Sequence, residues 1–244
     1  MKISFPSFKN INLDVIKVLA LVVMTIDHIG HLLYPRCFEL RLIGRATFPL
    51  FVFLLTLHLA QQGIFLKYIK RLFPFALLST MMISPFDVVI RHSFKLNIFW
   101  SFLVAVVFLF LVEKIKKDNM LKYLKIFLCS ILGLIFSALS FLCDYQFGGF
   151  LLIVTMYAWF KTRKPFFLLA LLFVSLYLNS DHLMMYPRVV ILFMLMTFLT
   201  VLVLLWQKKR LDKSKKRYLK PWWIFYAYYP AHLLVLYIIK ICFY

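Results

Sequence analysis

The chain is a succession of long apolar runs separated by short polar segments. An apolar run of about 18 or more residues is long enough to cross a bilayer as a helix. The pattern predicts nine membrane-spanning helices, at 13–34, 43–62, 69–90, 96–113, 121–142, 147–160, 165–179, 186–206 and 222–243. The predicted fold class is therefore all-α, a polytopic helical membrane bundle, in which residues 1–244 form a single integral-membrane domain.

The first run contains strongly polar residues in the stretch MTIDHIGHLLY. A charged side chain at the centre of a bilayer costs about 2.5–3.5 kcal/mol even on the gentlest scale. At 100° per residue, Lys17, Asp27, His28 and His31 fall within an arc of about 100° on one face of the helix. We therefore expect this face to look into the bundle, towards a partner or a cavity, with Asp27 in the outer half of the membrane.

Two later runs offer partners for this face. Arg45 enters the second run at the level of Asp27 and His28, and a guanidinium can pair with a carboxylate through two hydrogen bonds. The alternative is an arginine that snorkels to the headgroups. In the last run, His232 and Tyr229 share one helix face. His232 is either a functional residue or, alternatively, a buried histidine that only packs. Whether Asp27 pairs with Arg45 or with His28 stays open at this point.

The other polar residues collect near the outer face, apart from Lys17, which lies nearer the cytoplasm on the face of Asp27. Asp144 and His182 fall in predicted loops, and loops exposed to water are expected to be polar whether or not they have a function. We predict five substrate- or donor-binding residues: Lys17, His31, Asn97, Asp144 and Tyr229. The four cysteines lack metal-ligand spacing, so we predict no metal, and a disulfide between Cys37 and Cys143 is conceivable.

The composition is 64% hydrophobic with a net charge of +20. In a soluble protein this charge would indicate nucleic-acid binding. Here 21 of the 29 lysines and arginines lie at the N-terminus, in the loops after the even-numbered spans, or in the first five residues of the spans that follow those loops. The positive-inside rule then places the N-terminus in the cytoplasm and the C-terminus outside. We expect lipids as partners and no nucleic acid; the basic loop 207–220 is a topology anchor or, alternatively, a docking patch for an anionic cytosolic ligand.

Five segments, in order, resemble the TraX family of membrane proteins: IKVLALVVMTIDHIG, LRLIGRATFPLFVFLLTLHLA, YIKRLFPFALLS, LNIFW and FYAYYPAHLLVLY. The founding members acetylate the N-terminal amine of conjugative pilin, and the family is similar to the wider transmembrane acyltransferases. The resemblance implies a multi-pass protein of the bacterial cytoplasmic (inner) membrane with acetyl-coenzyme A as donor. It implies the following family positions: Asp27, His28, Gly44, Arg45, Asn97 and His232.

Acyl transfer requires a base and a donor of hydrogen bonds to an oxyanion. The hypothesis is an acetyltransferase with Asp27, His28, Arg45 and His232 as catalytic residues. His28 is the predicted base, and Arg45 or Tyr229 is the predicted oxyanion donor. The acceptor is an amine or hydroxyl of a peptide, such as a pilin-like N-terminus, of a glycan or of a lipid. The alternative is a transporter or assembly protein in which the same Asp-His-Arg group forms a relay, although no inverted repeat is visible.

Overall fold

The computed structural model describes residues 13–91, 95–178, 187–207 and 223–243, without the side chains of 87–91 and 205–207. These ranges contain ten helices and no β-strand. They are α1 (Leu13–Leu32), α2 (Phe38–Gly44), α3 (Thr47–Gln62), α4 (Phe65–Arg91), α5 (Ile98–Lys117), α6 (Lys122–Ser140), α7 (Gln146–Thr162), α8 (Pro165–Tyr177), α9 (Pro187–Gln207) and α10 (Ile224–Phe243). The all-α class is confirmed.

Each predicted span overlaps, along most of its length, with one of the helices α1 and α3 to α10, and α2 is the helix that the pattern did not predict. Six helical segments are long and apolar enough to cross a membrane: α1, α2 with α3, α5, α6, most of α9, and α10. The protein is therefore a multi-pass membrane protein that contacts lipid. It remains a prediction that α4, α7 and α8 also cross the membrane, which would give nine crossings. The cytoplasmic location of the N-terminus also remains a prediction.

The direction of each helix follows from the order of its contacts. The hydroxyls of Thr25 on α1 and Tyr228 on α10 lie 2.7 Å apart, and His28 contacts His232 further along both helices. Residue numbers rise together, so α1 and α10 run parallel. Ring contacts show that α4 is parallel to α10 (Phe75–Tyr226, Phe86–Tyr237) and antiparallel to α5 (Phe65–Phe110, Phe73–Trp100).

The centre of the bundle is α3, which packs against α1, α7 and α9. In the apolar window of Phe38–Gln62, 72% of the residues are buried, whereas in that of α6 only 6% are. The side chains of α6 are apolar but uncovered, as for Tyr123 and Leu134. A helix that is apolar all round and uncovered by protein faces lipid in a membrane protein. We conclude that α6 lies at the lipid-exposed rim.

Asn97 joins α5 to α4. Its side-chain oxygen accepts a hydrogen bond from the backbone N–H of Phe99 at 3.0 Å and caps α5. Its amide nitrogen donates to the carbonyl of Ala76 at 3.2 Å and to the hydroxyl of Thr80 at 3.1 Å. These bonds occupy the polar atoms of a side chain that the sequence predicted to bind substrate. The structure therefore gives Asn97 a role in helix packing.

Replacing Asn97 by alanine should lower the free energy of unfolding by about 1–3 kcal/mol, because a helix cap is lost and buried acceptors lose a donor. Thermal unfolding in detergent measures this change. Asn97→Ser is the matched variant: its hydroxyl oxygen can still cap α5 while the amide donor to α4 is lost, so its loss should be intermediate. Equal stability of all three proteins would contradict the packing role.

Candidate functional site

A polar cavity of about 220 Å³ lies where α1 and α10 approach their C-terminal ends. The walls come from α1, α2, the start of α3, the α6–α7 turn and α10, with single residues from α4, from α5 and from the end of α8. Ionisable and hydrogen-bonding side chains line much of it: Asp27, His28, His31, Arg41, Arg45, Asp144, Tyr145, Gln146 and Tyr229. The cavity thus unites most of the predicted site residues with three polar residues that the sequence analysis did not select: Arg41, Tyr145 and Gln146.

Arg41 is a hydrogen-bonding partner of the Asp27 carboxylate. Its Nη1 donates to Asp27 Oδ1 at 2.6 Å and also lies 3.3 Å from the Asp27 carbonyl oxygen. The sequence analysis did not consider Arg41 as a partner and left open whether Asp27 pairs with His28 or with Arg45; the structure gives Arg41 as the hydrogen-bonded partner. The missed signal was the spacing of Arg41 and Arg45, four residues apart, which places both on one face of a helix.

Arg45 still contributes to this part of the cavity. Its positive charge acts on Asp27 together with that of Arg41. Its guanidinium carbon also lies 4.7 Å from the centre of the Phe193 ring on α9. A cation over an aromatic face is held electrostatically. Arg45 is therefore positioned by protein contacts, which the snorkelling alternative does not require.

Gly44 lets α2 approach Asp27 closely. A Cβ atom at this position would overlap the Asp27 side chain. One helical turn along α1 from Asp27, a Cβ at Gly30 would lie 2.6 Å from Leu40 Cβ. Two glycines on facing helices thus bring the backbones of α1 and α2 together, as small residues do in membrane bundles. This approach places Arg41 against the carboxylate.

Gly44→Ala should separate Asp27 from Arg41, because the added methyl occupies the space of the carboxylate. We expect the free energy of unfolding to fall by about 1–3 kcal/mol, as for overpacked sites. Gly133→Ala on α6 is the matched control, since a Cβ there meets nothing within 4 Å. Melting temperatures of the purified proteins compare the two changes. A Gly44→Ala protein as stable as the control variant would refute the close packing.

His28 and His232 form a direct pair between α1 and α10. His28 Nδ1 and His232 Nε2 are 2.7 Å apart, and their ring centres are 4.9 Å apart. His232 Nδ1 lies 2.8 Å from the Tyr228 carbonyl oxygen. A carbonyl only accepts, so His232 Nδ1 carries a proton and its Nε2 is the acceptor when the ring is neutral. His28 Nδ1 must then donate, and His28 Nε2 carries the lone pair of a neutral ring.

Neighbouring groups hold this pair. The Thr25 hydroxyl donates to the Leu21 carbonyl at 2.9 Å, so the Tyr228 hydroxyl donates to Thr25 Oγ1. The Tyr228 ring stacks on His232 with centres 5.0 Å apart. The Tyr229 ring lies edge-on to His28 at 6.1 Å. The two imidazoles are therefore oriented from both helices, which suits a proton acceptor that must keep one tautomer.

Tyr145 places a phenol in the cavity wall beside the charges. It stacks on Phe48 with ring centres 3.8 Å apart. Burial raises the pKa of the Tyr145 hydroxyl above its usual value, and the negative charge of Asp27 raises it further. The phenol is therefore protonated at neutral pH and can donate a hydrogen bond. Its position in the polar segment CDYQFGGF was the only available sequence signal.

The remaining predicted residues divide by location. His31, Asp144 and Tyr229 line the cavity. Lys17 lies nearer the start of α1, where its ammonium pairs with Asp14 at 2.5 Å. His182 lies outside the described residues. The structure has Cys37 and Cys143 as free thiols. No group of three metal-ligating side chains occurs in the described part of the chain.

The cavity combines the groups that acyl transfer requires. An imidazole with its lone pair on a fixed nitrogen can take a proton from an incoming nucleophile. Guanidinium and phenol donors in the same wall can stabilise an oxygen that becomes negative. The ion pair with Asp27 stabilises the charged guanidinium of Arg41 inside the bundle.

The chain matches known proteins at the family level. The uncharacterized protein RP591 of Rickettsia prowazekii (strain Madrid E) is 52% identical over 40 residues, which are 16% of this chain and 16% of that relative. The aligned region thus spans about a sixth of the relative's length. No solved structure matches the chain. The model of the TraX protein family matches residues 12–240, nearly the whole chain, so this membrane protein belongs to the TraX family.

Proposed function

We propose that the protein is a membrane-embedded acetyltransferase. It moves an acetyl group from cytosolic acetyl-coenzyme A to an amine or hydroxyl acceptor at the outer side of the bacterial inner membrane. The observation that carries the proposal is the His28–His232 pair, whose hydrogen bonds assign the lone pair of a neutral His28 ring to Nε2. Arg41, Arg45 and Tyr145 in the same cavity supply the hydrogen-bond donors.

The reaction assigns one role to each group. His28 Nε2 takes the proton of the acceptor while the acceptor's lone pair attacks the thioester carbonyl carbon. Arg45 or Tyr145 donates a hydrogen bond to the carbonyl oxygen as it becomes negative. The carbon–sulfur bond then breaks, the sulfur leaves as a thiolate, and His28 returns the proton to it. His232 positions His28 and fixes its tautomer.

The proposal includes nine crossings with the N-terminus in the cytoplasm. This topology is supported by the basic loops after the even-numbered spans and by the parallel direction of α1 and α10. The polar cavity then lies in the outer half of the bundle, where an acceptor from outside can enter. A pilin-like N-terminal amine, a glycan hydroxyl and a lipid headgroup all provide a suitable nucleophile.

The purified protein in liposomes with labelled acetyl-coenzyme A tests the reaction. We expect release of the coenzyme A thiol and label on an added acceptor in equal amounts. Envelope fractions from cells with and without the protein, compared by mass spectrometry, identify the natural acceptor. Thiol release at the rate of empty liposomes in the presence of each acceptor class would refute the activity.

The second candidate is proton-coupled transport. It is favoured by two polar pairs, Asp27–Arg41 and His28–His232, in one cavity of a membrane bundle. Proton flux into protein-containing liposomes, measured with a pH-sensitive dye without acetyl-coenzyme A, separates this function from acetyl transfer. Flux above that of empty liposomes, with no thiol release on adding donor, would favour transport.

A further inference from the structure

A second cavity of about 180 Å³ lies between α1, α3, α4, α5 and α10. Most of its lining is aromatic or aliphatic. The described lining contains no acidic side chain. Its remaining four side chains are basic: Lys17, His58, Lys67 and Arg71. Lys17 forms an ion pair with Asp14, which does not line the cavity. The Lys17 ammonium also lies 5.6 Å from the centre of the Phe225 ring, a cation–π contact.

The second cavity lies at the other end of the same helices. Lys17, Lys67 and Phe225 lie in the first turns of α1, α4 and α10, while His58 lies in the last turns of α3. The first cavity is lined by Asp27, His28 and His31, which lie in the last turns of α1. The two cavities therefore lie at opposite ends of the bundle interior. The second lies towards the face where α1, α4 and α10 begin, which the charge distribution predicts to be cytoplasmic.

One layer of aromatic rings separates the two cavities. Phe99 and Tyr226 line the second cavity, and Tyr229 lines the first. The Phe99 ring packs 5.1 Å from that of Tyr229 and 6.0 Å from that of Tyr226, centre to centre. Ile98, the residue before Phe99, already lines the first cavity. A slender, flexible chain needs to pass only this layer to connect the two spaces.

The chemistry of the second cavity favours a particular ligand. Basic groups beside an apolar, aromatic interior suit an anion that carries phosphates on a longer uncharged stem. We propose that this cavity binds the phosphate-bearing part of coenzyme A through Lys67 and Arg71. The stem then passes Phe99 and brings the thioester to His28. This inference rests on the proposed acetyl transfer and assigns the donor a site separate from that of the acceptor.

Equilibrium binding of coenzyme A to the purified full-length protein in detergent tests the site. The double variant Lys67→Gln, Arg71→Gln should bind coenzyme A at least tenfold more weakly than the wild type. Lys70→Gln is the matched control, an exposed lysine of the same helix outside the cavity lining, and should bind as the wild type does. Pantetheine, which lacks the phosphates, should bind weakly and equally to all three. The charge-preserving pair Lys67→Arg, Arg71→Lys separates lost charge from lost folding, since it should retain binding.

Competing results would overturn the assignment. Unchanged affinity for coenzyme A in the glutamine double variant would refute it. Failure of coenzyme A to bind the wild type would refute it too. If the wild type then binds phosphatidylglycerol and the glutamine double variant does not, the cavity is assigned to a lipid headgroup. The proposed reaction can fail separately: a wild type that binds coenzyme A through Lys67 and Arg71 but transfers no acetyl group would refute the reaction and retain the site.

Discussion

His28→Ala is expected to reduce acetyl transfer by about 10²- to 10⁴-fold, the usual contribution of a general base. In the proposed reaction, the variant loses the nitrogen that takes the acceptor's proton, while Asp27, Arg41 and the second cavity are left in place. The rate of thiol release in liposomes measures the loss. Coenzyme A binding should stay within about twofold of the wild type, because the proposed phosphate contacts lie at the other end of the bundle.

Two further readouts distinguish a base from a packing residue. Added imidazole should restore part of the activity of His28→Ala, because the removed ring leaves a space of its own size. His28→Gln, which can still donate a hydrogen bond to His232 Nε2, should remain inactive. Full activity in His28→Gln would show that only the link between α1 and α10 matters and would refute the proton transfer.

The proposed reaction makes His232 a positioning residue, so its replacement should act through His28. His232→Gln should reduce transfer less than His28→Ala and should change the pH dependence of the rate, since it alters the partner of His28 Nδ1. A rate that falls with an unchanged pH profile would indicate a structural role for His232 alone.

Breaking the Asp27–Arg41 pair should give the largest loss of stability. Arg41→Gln leaves Asp27, whose side chain is only 12% exposed, without its hydrogen-bonded cation. We expect the free energy of unfolding to fall by about 3 kcal/mol, the lower end of the range for buried pairs, because the Arg41 side chain retains 22% exposure. Chemical unfolding in mixed detergent micelles measures it.

A double-mutant cycle assigns this loss to the pair. Asp27→Asn combined with Arg41→Gln should lose less than the sum of the single variants, because neither charge is then left alone. Lys116→Gln is the control, since Lys116 pairs with Glu113 at 3.4 Å but its side chain is 61% exposed, so its loss should be under about 1 kcal/mol. Additive losses at Asp27 and Arg41 would refute the coupling.

The local pattern was sufficient to predict the helices. A helix satisfies its own backbone hydrogen bonds, so a long apolar run in a membrane protein can be little else. The polar face of α1 was predictable for the same reason, because Asp27, His28 and His31 share it through the helical period alone. The short helix α2 was not, since its seven residues are too few for a periodic signal and it continues almost directly into α3.

Partners could not be read from the chain alone. Arg41 follows Asp27 by 14 residues across a turn, and its contact depends on Gly44 and Gly30 allowing α1 and α2 to approach. The sequence analysis did not select Arg41 as a partner of Asp27. Asn97 was predicted to bind substrate or donor, and only the antiparallel packing of α4 on α5 reveals that its side chain caps α5 and bonds to α4.

The sequence by itself determined the class of protein, the positions of the long helices and the inward face of α1, because these depend on hydrophobicity and helical period. Only the tertiary structure decided that His28 meets His232 across 204 residues and which nitrogen carries the lone pair. It also decided that the basic residues at the start of α4 form a cavity one aromatic layer away from that pair. Both depend on the parallel packing of α1, α4 and α10, which no local pattern encodes.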